Sequence, residues 1–280
     1  MKKLCLSLIV GILFFGCQST PEESATPAAP APAAKDASFG AAAPVQDAAA
    51  SYSRGNELAG RYAFDQAIGE YTDAIKKDPK MTDAYIARGN AYSGKLQKQD
   101  AMKDYSAGAQ INADYDNYAK GYSMYVAGNY KGAVAEFTKA IDKKNNLLAA
   151  YNDRGLCYAN MGELDKAIAD YDAALKINSN ALVYNNRGNA YYAKADYDKA
   201  IENYSKASEL YPVLVYAHSG RGMANYQKKS YDNAIADYTK AIALTPQDPV
   251  LYSLRGDAFS ARKDKALADA DYAKAKDLKK

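Results

Sequence analysis

Seven glycines constrain this chain more than any other feature. Gly55, Gly89, Gly121, Gly155, Gly188, Gly222 and Gly256 follow one another at intervals of 34, 32, 34, 33, 34 and 34 residues, each directly after an arginine or a lysine. Twelve residues past each glycine stands an alanine (Ala67, Ala101, Ala133, Ala167, Ala200, Ala234, Ala268), and four further on an aromatic ring (Tyr71, Tyr105, Phe137, Tyr171, Tyr204, Tyr238, Tyr272). Three residues beyond the ring the position is small again, alanine in every unit except the second, where it is Gly108. Self-similarity at such a period marks a stack of supersecondary units rather than one closed core.

Each unit carries two helical periodicities separated by a break. In the central copy Tyr184, Gly188 and Tyr191 share one helix face, and Ala200, Tyr204 and Ala207 share a face of a second helix. Ala195 to Asp198 supplies the turn between them, with Asp198 as the expected N-cap. Pro79, Pro212 and Pro246 close their units, and Asn145-Asn146 and Asn178-Ser179-Asn180 take that place elsewhere. A glycine inside a helix costs about 1 kcal/mol against alanine. Its recurrence predicts that the ring sixteen residues later packs directly on it. A single helix pair leaves a face uncovered, so neighbours must stack to bury it.

The recurring glycine, the first-helix aromatic (Tyr92, Tyr158, Tyr191, Phe259), the Ala–aromatic–Ala stripe and the terminal prolines resemble the tetratricopeptide repeat. Leu58, Met124 and Asn225 depart from it in units one, three and six. The resemblance implies an all-α fold, a right-handed solenoid of seven helix-turn-helix repeats with the first helices on the concave side. The expected repeats are 48–81, 82–113, 114–147, 148–180, 181–214, 215–248 and 249–280.

Ahead of them, Lys2 and Lys3 precede an apolar run, Leu4 to Phe15, that is short for a bilayer span and reads as an export signal. Phe14-Phe15-Gly16-Cys17 resembles a bacterial lipoprotein cleavage box, with Phe14 where leucine is usual. That resemblance implies loss of residues 1–16 and a lipid on the Cys17 thiol. Residues 17–47 hold five of the nine prolines among Ala, Ser, Thr and Glu, a composition expected to form an extended, disordered tether. Without Lys2 and Lys3 the formal charge falls from +3 to +1. Near-neutrality gives no electrostatic case for nucleic acid.

Catalysis finds no support. The one histidine, His218, occupies the column of Tyr85, Tyr151, Tyr184 and Tyr252, and Cys157 occupies a column of alanines. No phosphate loop, metal motif or nucleophile elbow is present, so neither enzyme activity, metal nor cofactor is expected. The basic residue before each glycine does have a partner at fixed distance. Sixteen residues after Arg54, Arg88, Lys120, Arg154, Arg221 and Arg255 stand Glu70, Asp104, Glu136, Asp170, Asp237 and Asp271, predicting ion pairs. Arg187 faces Asn203 instead, which leaves it as a candidate for meeting a ligand.

Partner-binding residues are expected one residue past the packing stripe, a rotation of about 100°. This step gives Asn185, Asn189 and Tyr192 in the central unit, Tyr118, Tyr122 and Tyr125 in the third, and Asn56, Asn90, Asn152 and Tyr226 elsewhere. Tyrosine offers a rigid contact face with a polar tip, and asparagine pairs with peptide backbone. The stripe lacks the lysines and arginines by which some relatives grip acidic chain termini. The expected function is a lipid-anchored scaffold that binds protein segments in the bacterial envelope, on the periplasmic face. Gln18 rather than aspartate favours the outer membrane. A structural homo-oligomer and a transporter-associated component with a small ligand are the alternatives.

Overall fold

The computed structural model describes residues 44–144 and 147–279. The expected signal peptide, Cys17 and most of the tether lie outside them. The described residues form seven antiparallel helix pairs and no strand. These are α1 (Pro44–Gly60) with α2 (Phe64–Lys77), α3 (Thr82–Gly94) with α4 (Lys98–Ile111), α5 (Asp116–Val126) with α6 (Tyr130–Asp142), and α7 (Leu147–Asn160) with α8 (Leu164–Ile177). They continue as α9 (Ala181–Ala193) with α10 (Tyr197–Leu210), α11 (Val215–Gln227) with α12 (Tyr231–Leu244), and α13 (Pro249–Ala261) with α14 (Lys265–Asp277). α1 begins four residues ahead of 48, with Pro44 in its first turn, where proline's fixed φ suits a helix.

The glycine column does what the spacing predicts. A Cβ built on Gly55, Gly89, Gly121, Gly155, Gly188, Gly222 or Gly256 falls 2.5–2.9 Å from the ring sixteen residues later. No real Cβ fits there, so the helices of a pair touch through glycine. The alanines on either side of each ring are buried throughout. The turn within each pair places one residue at positive φ: Tyr62, Leu96, Gly128, Gly162, Ala195, Lys229 and Lys263. Only two of these are glycine, so five units accept a left-handed backbone that side chains disfavour. In the central unit the N-cap is Asp196, accepting from the Lys199 N–H at 3.2 Å, rather than Asp198. With Ala195 at positive φ, the second helix starts two residues earlier than the capping pattern suggested.

Five of the six predicted ion pairs form. Arg88–Asp104, Arg154–Asp170 and Arg255–Asp271 are bidentate at 2.7–2.8 Å, Arg221 meets Asp237 at 2.7 Å, and Arg54 meets Glu70 at 2.8 Å. The second guanidinium edge reaches back to a hydroxyl of the preceding repeat, at Thr72, Thr138, Ser205 and Thr239. Each of these four arginines therefore fastens two repeats. The third unit is the exception. Lys120 turns to Asp116 on its own helix, and Glu136 takes Lys139 and Asn117, because an ammonium lacks the planar fork that spans both helices. Arg187 is not free either. It donates to Asn203 at 2.7 Å and pairs with Asp172, which stands in the column of Thr138 and Ser205. The carboxylate absent from position 203 is supplied at 172 by the preceding repeat.

Consecutive first helices approach one another along the stack, least closely between the second and third repeats, where the Tyr122 hydroxyl donates to Ser93 at 3.3 Å, and second helices do so at most marginally. First helices thus form the inner layer. The stack also turns back on itself. The Tyr62 ring stacks on Tyr211 at 4.7 Å and 13°, and its hydroxyl accepts from the Ala181 N–H. Phe64 meets the same Tyr211 edge-on, so the first repeat rests against the fifth.

Candidate functional site: the inner face of repeats five to seven

The ten residues expected to bind a partner fall into three groups. Asn56, Asn90 and Asn189 each accept a hydrogen bond from the ring hydroxyl of their own unit, Tyr71, Tyr105 and Tyr204, at 2.9, 3.0 and 2.7 Å. The ring that lies flat on the glycine is long enough to reach the next residue of the first helix. These asparagines therefore satisfy buried phenols. Asn152 bridges Asn186 and Asp153 at 2.9 and 3.0 Å, and Asn185 is buried.

Tyr118 and Tyr122 are core residues, 0% and 1% exposed. The third unit follows the shortest glycine spacing, and a single 3₁₀ turn, Ala113–Tyr115, carries the chain into α5. Both rings then meet Tyr105 edge-on at 4.8 Å. The Tyr118 hydroxyl donates to Asp153 at 2.7 Å, and that carboxyl is buried with one further donor, Asn152. Burial outweighs these donors and the nearby Lys98, raising the Asp153 pKa to about 6. Tyr125 carries the Lys98 ammonium 4.9 Å over its ring.

Tyr192 and Tyr226 make the third group. They line a pocket of about 340 Å³, counting its open mouth, together with Met223, Gln227, Tyr238, Leu254 and Asp257. α9, α11 and α13 contribute its walls and α12 its floor, the buried Tyr238. Tyr192 and Tyr226 are braced by Tyr197 and Tyr231 of their own units at 5.4 and 5.6 Å. Gln227 donates to the Tyr192 hydroxyl at 3.4 Å. Sequence reasoning missed Asp257, although it stands in the column of Asn56, Asn90 and Asn189; its hydrogen bond from Tyr272, 2.8 Å, matches theirs. Rigid rings around an open apolar hollow, rimmed by an amide and a carboxylate, suit insertion of a side chain from an extended polypeptide.

Residues 148–180 and 185–249 match family models described as the tetratricopeptide repeat. Over these two stretches the chain carries tetratricopeptide repeats. It is 34% identical to human tetratricopeptide repeat protein 6 over 124 residues, covering 42% of this chain and 24% of that protein. The chain thus spans about a quarter of that relative's length. Among solved structures it resembles the MamA protein, with a TM-score of 0.55 at 21% identity over 59% of this chain and 91% of that one. A chain of the Cut9–Hcn1 hetero-tetramer of the APC/C gives 0.62 at 15% identity, over 80% of this chain and 52% of that one. These likenesses establish the tetratricopeptide solenoid fold. Such solenoids generally serve as scaffolds for protein–protein interaction.

Proposed function

We propose that this tetratricopeptide scaffold is anchored to a bacterial envelope membrane through Cys17 and binds an extended polypeptide along the inner face of repeats five to seven. The observation that carries the binding site is the Tyr192–Tyr226 pocket, where the inner layer of helices leaves aromatic faces open beside buried ones. In the third unit Tyr118 and Tyr122 are spent on packing, and Tyr125, in the column of Tyr192 and Tyr226, lies under the Lys98 ammonium. The Cut9–Hcn1 hetero-tetramer adds that the fold serves in a protein complex.

The anchor rests on the sequence. Gly16-Cys17 ends an apolar run led by two lysines, and Gln18 favours the outer membrane. Among the described residues no helix is long and apolar enough to cross a membrane. Intact-mass measurement of the mature protein should find a chain starting at Cys17 with added acyl mass; an unmodified Cys17 removes the anchor. Replacing Tyr192 and Tyr226 together by alanine should abolish co-purification of the bound protein from detergent-solubilised envelope, with the far-ultraviolet dichroism unchanged. Recovery of the same partners by variant and wild type would remove the binding face from these repeats.

A further inference from the structure

Asp257 is the only carboxylate in the pocket lining, and no lysine or arginine stands among the lining residues. Many of the described acids on the solenoid surface are met by a lysine or arginine. Lys228 is taken by Asp198, and Arg262 by Asp232 and Asp264. The one hydrogen bond to Asp257 comes from the Tyr272 hydroxyl, and the groups whose titration it perturbs are tyrosines. Burial first, and then this charge, pushes the Tyr226 hydroxyl above its usual range. A negative charge beside the faces of Tyr192 and Tyr226 therefore stands without a cation on an open apolar hollow.

The third repeat shows what completes such a site. Tyr125, in the column of Tyr192 and Tyr226, holds the Lys98 ammonium 4.9 Å over its ring, within the field of the Asp153 carboxylate. There the chain supplies its own cation. In the fifth repeat Tyr197 stands at the position that Lys98 occupies in the second, and it packs on Tyr192 instead. Ring quadrupole and carboxylate both favour a cation, and the methylene stem of a lysine or arginine suits Met223 and Leu254.

We infer that the pocket lined by Tyr192, Tyr226, Met223, Leu254 and Asp257 recognises a lysine or arginine side chain of the bound polypeptide. This rests on the reading of the inner face as a polypeptide site. The test is fluorescence anisotropy on the full chain. The probes are short labelled peptides of Gly, Ser and Ala with one central lysine, arginine, glutamine, glutamate or norleucine. The lysine and arginine peptides should bind about tenfold more tightly than the glutamine peptide, and the glutamate peptide most weakly. Asp257→Asn should erase most of that preference while leaving the norleucine peptide unaffected. A norleucine peptide as tight as the lysine one, or a lysine preference that survives Asp257→Asn, overturns the inference and leaves polypeptide binding standing. Failure of the underlying reading looks different: every peptide then binds the Tyr192→Ala/Tyr226→Ala variant as well as the wild type. No binding by any of the five probes overturns both.

Discussion

Replacing Tyr204 by alanine should cost about 3–5 kcal/mol of stability, the range for emptying a large aromatic from a core. The ring is fully buried and lies between two backbones. A Cβ on Gly188 would meet it at 2.9 Å, and one on Gly220 of the following repeat at 2.7 Å. Its hydroxyl donates to Asn189 at 2.7 Å. Tyr204 thus joins both helices of its own repeat to the first helix of the next. Repeats couple through nearest neighbours, so weakening this joint should also split the urea transition, with the flanking halves unfolding separately. Tyr204→Phe keeps the wedge and should lose only about 1 kcal/mol for the hydrogen bond. Tyr216→Ala, at an exposed position, should fall within about 0.5 kcal/mol of wild type. A loss under about 1 kcal/mol for Tyr204→Ala would contradict the wedge.

Asp153 should make the protein less stable at neutral pH than its packing alone would allow. Its folded pKa is raised to about 6, above the ordinary carboxyl value of 3.8, because burial outweighs the bonds from Tyr118 and Asn152 and the field of Lys98. The folded state then holds a proton that the unfolded state releases between those two values. Stability from this group is full below pH 3.8, falls as pH rises, and is gone above about 6. A shift of about two units corresponds to about 3 kcal/mol. Asp153→Asn keeps the acceptor for Tyr118 and carries no charge. It should match wild type near pH 4 and exceed it by up to about 3 kcal/mol at pH 7.5. The difference between the two proteins is the readout, since the surface carboxylates titrate in both. A variant less stable than wild type at pH 7.5 would mean that the ionised carboxylate, held by Tyr118 and Lys98, is the form the fold requires.

What repeats in the sequence was legible, and what occurs once was not. Seven copies of glycine, alanine and ring fixed the helix pairs, and the sixteen-residue spacing found the arginine–carboxylate pairs before any coordinate. The same spacing failed at Lys120, where the forked guanidinium was missing, and it left Arg187 without a partner although Asp172 replaces the lost acid one repeat earlier. The asparagine stripe was misread for a different reason. Rotation about a helix axis says which residues share a face, but not that a tyrosine lying on glycine reaches the next residue with its hydroxyl. Asp153 sits in a column of serine, alanine, asparagine, glycine and leucine, so no pattern announced it. The stacking of Tyr62 on Tyr211 was out of reach altogether, because it sums small rotations over four repeats. Of the candidate site, Tyr192 and Tyr226 were visible, while Met223, Leu254 and Asp257 joined them only once neighbouring first helices were in place.

Photo-crosslinking from single positions in the full-length protein in its native cells tests the central claim most directly. Benzoylphenylalanine in place of Tyr192 or Tyr226 should give one strong adduct with a polypeptide partner, and the same probe in place of Lys206 or Lys240, exposed on the second helices, should give none. Adducts from the second-helix positions, with silence at 192 and 226, would place the binding surface on the outside of the solenoid and contradict the account.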